Sequence, residues 1–435
     1  MRMATARIWA AIAVFSLVAV PATAQQEPEL KLTLEQAIER AMRVSPTMVQ
    51  AAGTVRTAES GERTAWGAFL PNLSLSSGAS LASSERWNQE TGTWVNAGSN
   101  DNYSAGLNIS YDVFTGFRRG AELRRTRAQT SLAEAGHLET EYAVTLQVKT
   151  AFFAVLRAEE QMRVAQAGVK RAEEGLAAAQ RRTQVGSATR SDELRSNLEL
   201  TQAKQTLLQA QNARRTAAYE LGRLVGESRP VGADDELPAT TESLALSDPE
   251  LVALVLNNSP AVKAAEASVS SAEASLGSNK AQYLPTLRAS WGYNWANEDP
   301  TLDGGRQSWS GRLSLSYPLF NNFSREDAVT RSSVQVMTAK ATAEDARRTA
   351  RAELERMLGA LRLAEAQIAL SREAVTVAEE DLRVQEERYR LGVTTILERI
   401  TSQQNLVQAE LDLVSARFDY QIARAELEAL AGREL

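Results

Sequence analysis

The chain has 435 residues with 48 Lys or Arg against 54 Asp or Glu, a formal charge of −6, one histidine and no cysteine. That rules out a disulfide framework, thiol chemistry and a cysteine-based metal site, and the acidic balance argues against a nucleic-acid partner. The lone His137 lies in a charged helical stretch and is expected on a solvated face. No phosphate-binding G-x-x-x-x-G-K-[ST], H-E-x-x-H or G-x-S-x-G pattern occurs, so neither an enzyme, a metal, a cofactor nor an internal energy source is expected.

Residues 1–24 carry Arg2 and Arg7, an apolar run from Ile8 to Val20, and Ala22-Thr23-Ala24. This is the pattern of a secretory signal peptide, cut after Ala24. The run is shorter than the ~20 apolar residues that span a bilayer. No later stretch is apolar enough for a membrane helix, so any entry into a membrane is expected through strands.

The rest reads as a tandem repeat. Pro46 and Pro71 return as Pro260 and Pro285. Tyr111, Phe114, Gly186 and Gly226 return as Tyr317, Phe320, Gly392 and Gly432. The offset falls from 214 to 206 between the second proline and the phenylalanine, so eight residues are missing from the second copy there, where a loop is expected. The first repeat is expected over residues 25–226, a linker or outer strap over 227–249, and the second repeat over 250–435.

Each repeat opens with a helix that Ser45-Pro46 or Ser259-Pro260 starts as N-cap and first turn, and that ends before Pro71 or Pro285. Then the period becomes two. Leu73, Leu75, Leu81, Leu107, Ile109 and Tyr111 alternate with serines, glycines and asparagines, and so do Leu287, Trp291, Tyr293, Leu313 and Leu315. This predicts one hairpin per repeat, about 71–114 and 285–320, with strands of about ten residues, long enough to cross a bilayer when tilted. Trp87, Trp94, Trp295 and Trp309 near the loops, with Tyr111, Tyr317, Phe114 and Phe320 at the other end, suggest two aromatic girdles. Four strands cannot close a barrel, so several chains are expected to share one.

Long proline-free helices are predicted over 118–184 and 324–390, followed by helices over 190–225 and 395–431. The second long helix has two seven-residue stripes: Leu354, Leu361, Ile368, Val375, Leu382, Tyr389, and Leu363, Leu370, Val377, Val384, Leu391. Two seams require two neighbouring helices. The class read from the residues is mainly α with a membrane β-barrel: long coiled-coil helices in a ring, not a simple pair, plus four strands per chain that share a barrel if they span. A second reading is an exported structural or adhesive coiled-coil protein without a channel.

The joints are "RRTQVGSATRSDEL" and "RYRLGVTTILERITSQQNLVQAE". With the duplication, the signal peptide, and "FLPNL" and "YLPTL" entering the hairpins, the whole mature chain resembles the TolC family of outer-membrane efflux proteins. The resemblance implies a homotrimer closing a 12-stranded barrel among outer-membrane lipid, with an α-barrel crossing the periplasm of a diderm bacterium. It implies a passive exit duct for efflux or type I secretion, docked to a periplasmic adaptor and an inner-membrane pump of RND or ABC type. By position, Val185, Gly186, Leu391 and Gly392 would be the adaptor-docking tips, and Asp192, Glu398 and Tyr389 the aperture. Pro71 and Pro285 would be the helix-to-strand junctions. Thr183, Thr394 and Thr401 depart from the family's tyrosine, basic and second acidic positions, which implies a weaker gate. Asp192 and Glu398 also sit near a helix N-terminus, where the dipole favours an acid anyway, and from the residues alone both roles stand open.

Overall fold

The computed structural model describes residues 29–234, 247–301 and 303–435; the signal-peptide stretch and most of the linker lie outside the described residues. The first half runs β1 (Leu30–Leu32), α1 (Leu34–Val44), α2 (Pro46–Gly67), β2 (Asn72–Asn88), β3 (Thr93–Phe114), α3 (Arg118–Gln184) and α4 (Arg190–Val225). After β4 (Val231–Ala233) the order repeats: α5 (Asp248–Asn258), α6 (Pro260–Lys280), β5 (Thr286–Asn297), β6 (Arg306–Ser316), α7 (Ser324–Leu391) and α8 (Ile396–Ala431). At ~1.5 Å per residue, the 67 residues of α3 extend about 100 Å.

A short helix precedes each proline-started one, and α1 is closed by a capping box between Thr33 and Gln36. Pro46 and Pro260 start α2 and α6, but the Ser45 and Ser259 side chains do not cap them; Ser45 bonds Thr47 instead, at 2.8 Å. The fixed φ of proline at the first position is what starts these helices. Within the linker, β4 pairs in parallel with β1, Leu30 opposite Val231.

Two apolar cores sit midway along the long helices. In one, Val148, Phe152 and Val155 of α3 pack with Leu221 and Val225 of α4 and with Ala37 and Ala41 of α1. In the other, Leu354, Leu358 and Leu361 of α7 pack with Tyr420 and Leu427 of α8 and with Leu251 and Val255 of α5. The halves meet along α3 and α8 through ions of segregated sign. Lys149, Arg157 and Arg171 of α3 pair with Glu428, Asp419 and Glu410 of α8 at 2.6, 2.5 and 2.7 Å.

The four long strands form one antiparallel sheet, ordered β2-β3-β5-β6. Pro71 and Pro285 immediately precede β2 and β5. Each hairpin hands over to its long helix through residues with positive φ, Phe117 at 60° and Asn322 and Phe323 at 56° and 60°. Phe117 and Phe323 stack edge-to-face on Phe114 and Phe320. An arginine in the first turn of each long helix ties the junction: Arg119 donates to the Ala68 carbonyl, Arg325 to that of Pro318.

The first hairpin differs from the expectation. Its strands run to 17 and 22 residues, against 12 and 11 in the second. The eight extra residues therefore lengthen the ladder and do not form a loop. The turn is tight, with Gly92 at φ 62°, and the ends are pinned by an edge-on pair of Trp87 and Trp94 at 5.5 Å. This also corrects the girdles. Trp295 is level with Ala105 and Ser77. Trp87 lies ten positions further along β2, on the order of 30 Å beyond Trp295. Only Trp295 and Trp309 stand at girdle height. From Trp309 to Tyr317 is roughly 27 Å along the strand, which a barrel tilt of about 40° reduces to roughly 21 Å of height, close to an apolar band of about 25 Å.

Candidate functional site

Both helical hairpins turn on a glycine. Gly186 and Gly392 have φ of 76° and 78°, a region open to glycine at no steric cost. The turn lets the Ser187 and Val393 amides donate back to the Arg182 and Arg388 carbonyls, at 2.8 and 3.0 Å, which satisfies helix-end acceptors. The residue before each glycine is apolar and projects outward: Val185 is 78% exposed and Leu391 72%. Val393 and Leu397 are also exposed, so the second tip has the broader apolar surface.

The next helices start on threonine caps. Thr189 and Asp192 make a reciprocal capping box: the Thr189 amide donates to Asp192 Oδ2 at 2.9 Å, and the Asp192 amide to Thr189 Oγ1 at 3.2 Å. At the other tip the Glu398 amide donates to Thr395 Oγ1 at 3.4 Å, and the Thr394 hydroxyl donates to Glu398 Oε2. Both carboxylates thus serve helix N-termini within a single chain. Thr394, standing where the resemblance implied a base, is a neutral donor to the acid. The Thr183 and Thr401 hydroxyls bond carbonyls of their own helices, Ala179 and Leu397.

Tyr389 is buried against Ile396 and Ile400. Arg182, from the other tip, lies over its ring at 4.4 Å and donates to its carbonyl. Burial pushes the phenol above its ordinary range, Arg182 opposes the rise, and the charge of Asp192 adds to it. The structure therefore gathers Tyr389, Arg182 and Asp192 in one neighbourhood, while Glu398 stays exposed on its own helix. Arg182 was not legible as a site residue, because its partner lies 207 positions away.

A second group the sequence did not signal lies about two turns above the tips. Arg399 of α8 pairs with Glu199 of α4 at 2.8 Å, their side chains 5% and 6% exposed. Arg399 also donates to Gln403 at 3.0 Å and lies against Gly175 of α3, where a Cβ would meet its guanidinium at 2.6 Å. Burial pushes the Glu199 carboxyl up in spite of the arginine, because desolvation outweighs their attraction. A crevice of about 250 Å³ beside the pair is lined by Glu199, Gln202, Gln403, Gln404 and Gln408.

The second seven-residue stripe of α7 stays uncovered. Leu363, Leu370, Val377 and Leu391 are all exposed, whereas Leu354, Leu361, Ile368 and Leu382 of the first stripe are buried. No cluster of metal-binding side chains and no helix long and apolar enough to cross a membrane occurs among the described residues.

A model of the outer membrane efflux protein family matches residues 37–227 and 251–433. The chain is 26% identical over 340 residues to Protein CyaE of Bordetella pertussis, spanning 77% of this chain and 70% of that one. It is 29% identical over 262 residues to the pyoverdine export outer membrane protein OpmQ of Pseudomonas aeruginosa, spanning 59% of this chain and 55% of that one. Its fold is similar to that of the outer membrane protein VceC from Vibrio cholerae, with a TM-score of 0.77 at 20% identity over 92% of this chain and 96% of that one.

Proposed function

The chain belongs to the outer membrane efflux protein family and is an outer-membrane channel protein, and from that premise we propose that it is one third of a passive exit duct. Three chains pool their strands into a 12-stranded barrel, and the α-barrel below it is opened by docking of a periplasmic adaptor at the tips. An inner-membrane pump of RND or ABC type supplies the energy.

The observation that carries this reading is the sheet. Leu73, Leu75, Leu81, Leu313 and Leu315 expose one apolar face, while β2 and β6 leave two unpaired edges. An open edge facing lipid leaves backbone groups without partners, so four strands become stable in a bilayer only by joining copies, β6 of one to β2 of the next. The bare α7 stripe supports the same assembly, because it offers the next copy a heptad-spaced apolar seam. In that assembly Asp192, Glu398 and Tyr389 line the aperture, where the two acids of each chain favour cations. Val185, Gly186, Leu391 and Gly392 form the adaptor-docking face.

The test is the mass of the complex extracted from outer membranes in mild detergent, corrected for bound detergent. Three chains per particle are expected. A monomer, or a protein released by carbonate without detergent, sinks the duct and favours an exported coiled-coil protein.

A further inference from the structure

The polar face of the sheet has an uneven charge. Ser76, Gly106 and Asn294 share one face, because a Cβ on Gly106 would meet Asn294 Oδ1 at 2.7 Å and Ser76 Oγ at 3.2 Å. Gly292 faces Ser310 Oγ and Asn108 Oδ1 in the same way. With side chains alternating along each strand, the positions on this face follow from the register. On β2 they run Asn72, Ser74, Ser76, Gly78, Ser80 and Ala82, with no charge. On the other strands the charged ones are Asp112, Arg288, Arg306 and Arg312.

Asp112 is already engaged by Arg288, Nε to Oδ1 at 2.6 Å. Arg312 is opposite Ser290, hence diagonal to Arg288, and is solvent-exposed. No carboxylate lies within ion-pair distance of it among the described residues. The duct assembly does not supply one, since residues 72–82 of β2, the part that would lie beside β6, carry no charge. Arg306 differs: it sits at the outer rim, beside a turn that carries Glu298, Asp299 and Asp303.

We propose that Arg312, flanked by Arg288, forms a basic collar inside the outer-membrane barrel that holds multivalent anions, the carboxylated or phosphorylated groups of solutes passing outward. The inference rests on the duct reading, which makes this face the lumen. Each chain contributes two guanidiniums against one carboxylate at this level, and three chains repeat the imbalance around the axis. The walls bring few other charges, so the field acts along the lumen and fades with salt over a Debye length of ~8 Å at physiological strength. The collar has the opposite sign to the acids at the helical tips.

The experiment uses the purified full complex and inorganic tripolyphosphate at low ionic strength. Calorimetry reads binding in detergent, and planar bilayers read block of the current from the barrel side. Wild type is expected to bind and be blocked, and Arg312→Gln to need about tenfold more anion, the cost of a lost charge-assisted contact. Arg312→Lys should restore the wild-type response, while Arg306→Gln should change it little. Equal binding by Arg312→Gln, no binding by wild type, or a loss confined to Arg306→Gln overturns the collar. Arg312-dependent binding without any conductance refutes the duct and with it the lumenal collar, leaving an anion site on the sheet face, whereas conductance that tripolyphosphate does not block refutes the collar alone.

Discussion

Arg399 and Glu199 lie 200 positions apart in the chain and form a buried ion pair at 2.8 Å, joining α8 to α4, the closing helices of the two repeats. Removing one partner of a buried pair strands a charge in a low-dielectric site. Glu199→Ala should therefore cost about 3–5 kcal/mol, and replacing both residues with methionine should recover most of it. Urea unfolding of the purified protein reads this; a single variant as stable as wild type would show the pair to be dispensable.

The same carboxyl gives a pH dependence with a definite sign. Folding raises its pKa, so its contribution to stability is full below the unfolded value of 4.5 and is lost as pH rises through the folded value. Over that window wild type should lose stability relative to Glu199→Gln, which binds no proton there. Thermal midpoints of both proteins from pH 4 upward test the point, and parallel curves exclude it.

At the turns, Gly186 has no atom within 4 Å of an added Cβ, and Gly392 has only the Arg182 guanidinium at 3.7 Å. Space is free at both, so the cost of alanine comes from the backbone alone. Gly186→Ala and Gly392→Ala should each lose about 1–2 kcal/mol for a left-handed residue. A much larger loss would reveal a packed surface that a single chain does not display.

If the tips dock an adaptor, Val185→Asp and Leu391→Asp should abolish export while leaving the amount of assembled protein in the outer membrane unchanged. Both side chains are exposed, so the substitutions should leave the fold stable. Export assays scored beside outer-membrane fractions separate the two effects. Export at the wild-type level would remove these residues from the docking face.

What the sequence made legible was what repeats with a period. Alternation exposed four strands, the heptads exposed long helices with two seams, and the duplication exposed the shared order. The second seam was readable as a stripe, and its bareness in the single chain follows from Leu363, Leu370 and Val377 finding no cover. The capping of α4 by Thr189 was not drawn from the sequence, although Thr189-x-x-Asp192 is a local pattern; only the dipole preference for Asp192 was. Long-range pairing was not legible. Neither Arg182 over Tyr389 nor Arg399 with Glu199 leaves a trace in local spacing, because the charges that meet lie in different repeats. The length of the first hairpin was misjudged for a related reason. The outer part of that hairpin mixes serines and asparagines with charged residues such as Glu85 and Asp101, which read as loop, and cross-strand pairing makes them ladder.

In the proposed duct, the unequal hairpins would set the outline presented to the medium. In a ring of three chains, tall and short hairpins alternate, and each tall one ends at Trp87 and Trp94, far beyond the apolar band. The outer rim is then a three-pointed crown and not a level collar. Antibodies, phage and proteases arriving from the medium would meet these points first, with the shorter β5–β6 turns sheltered between them.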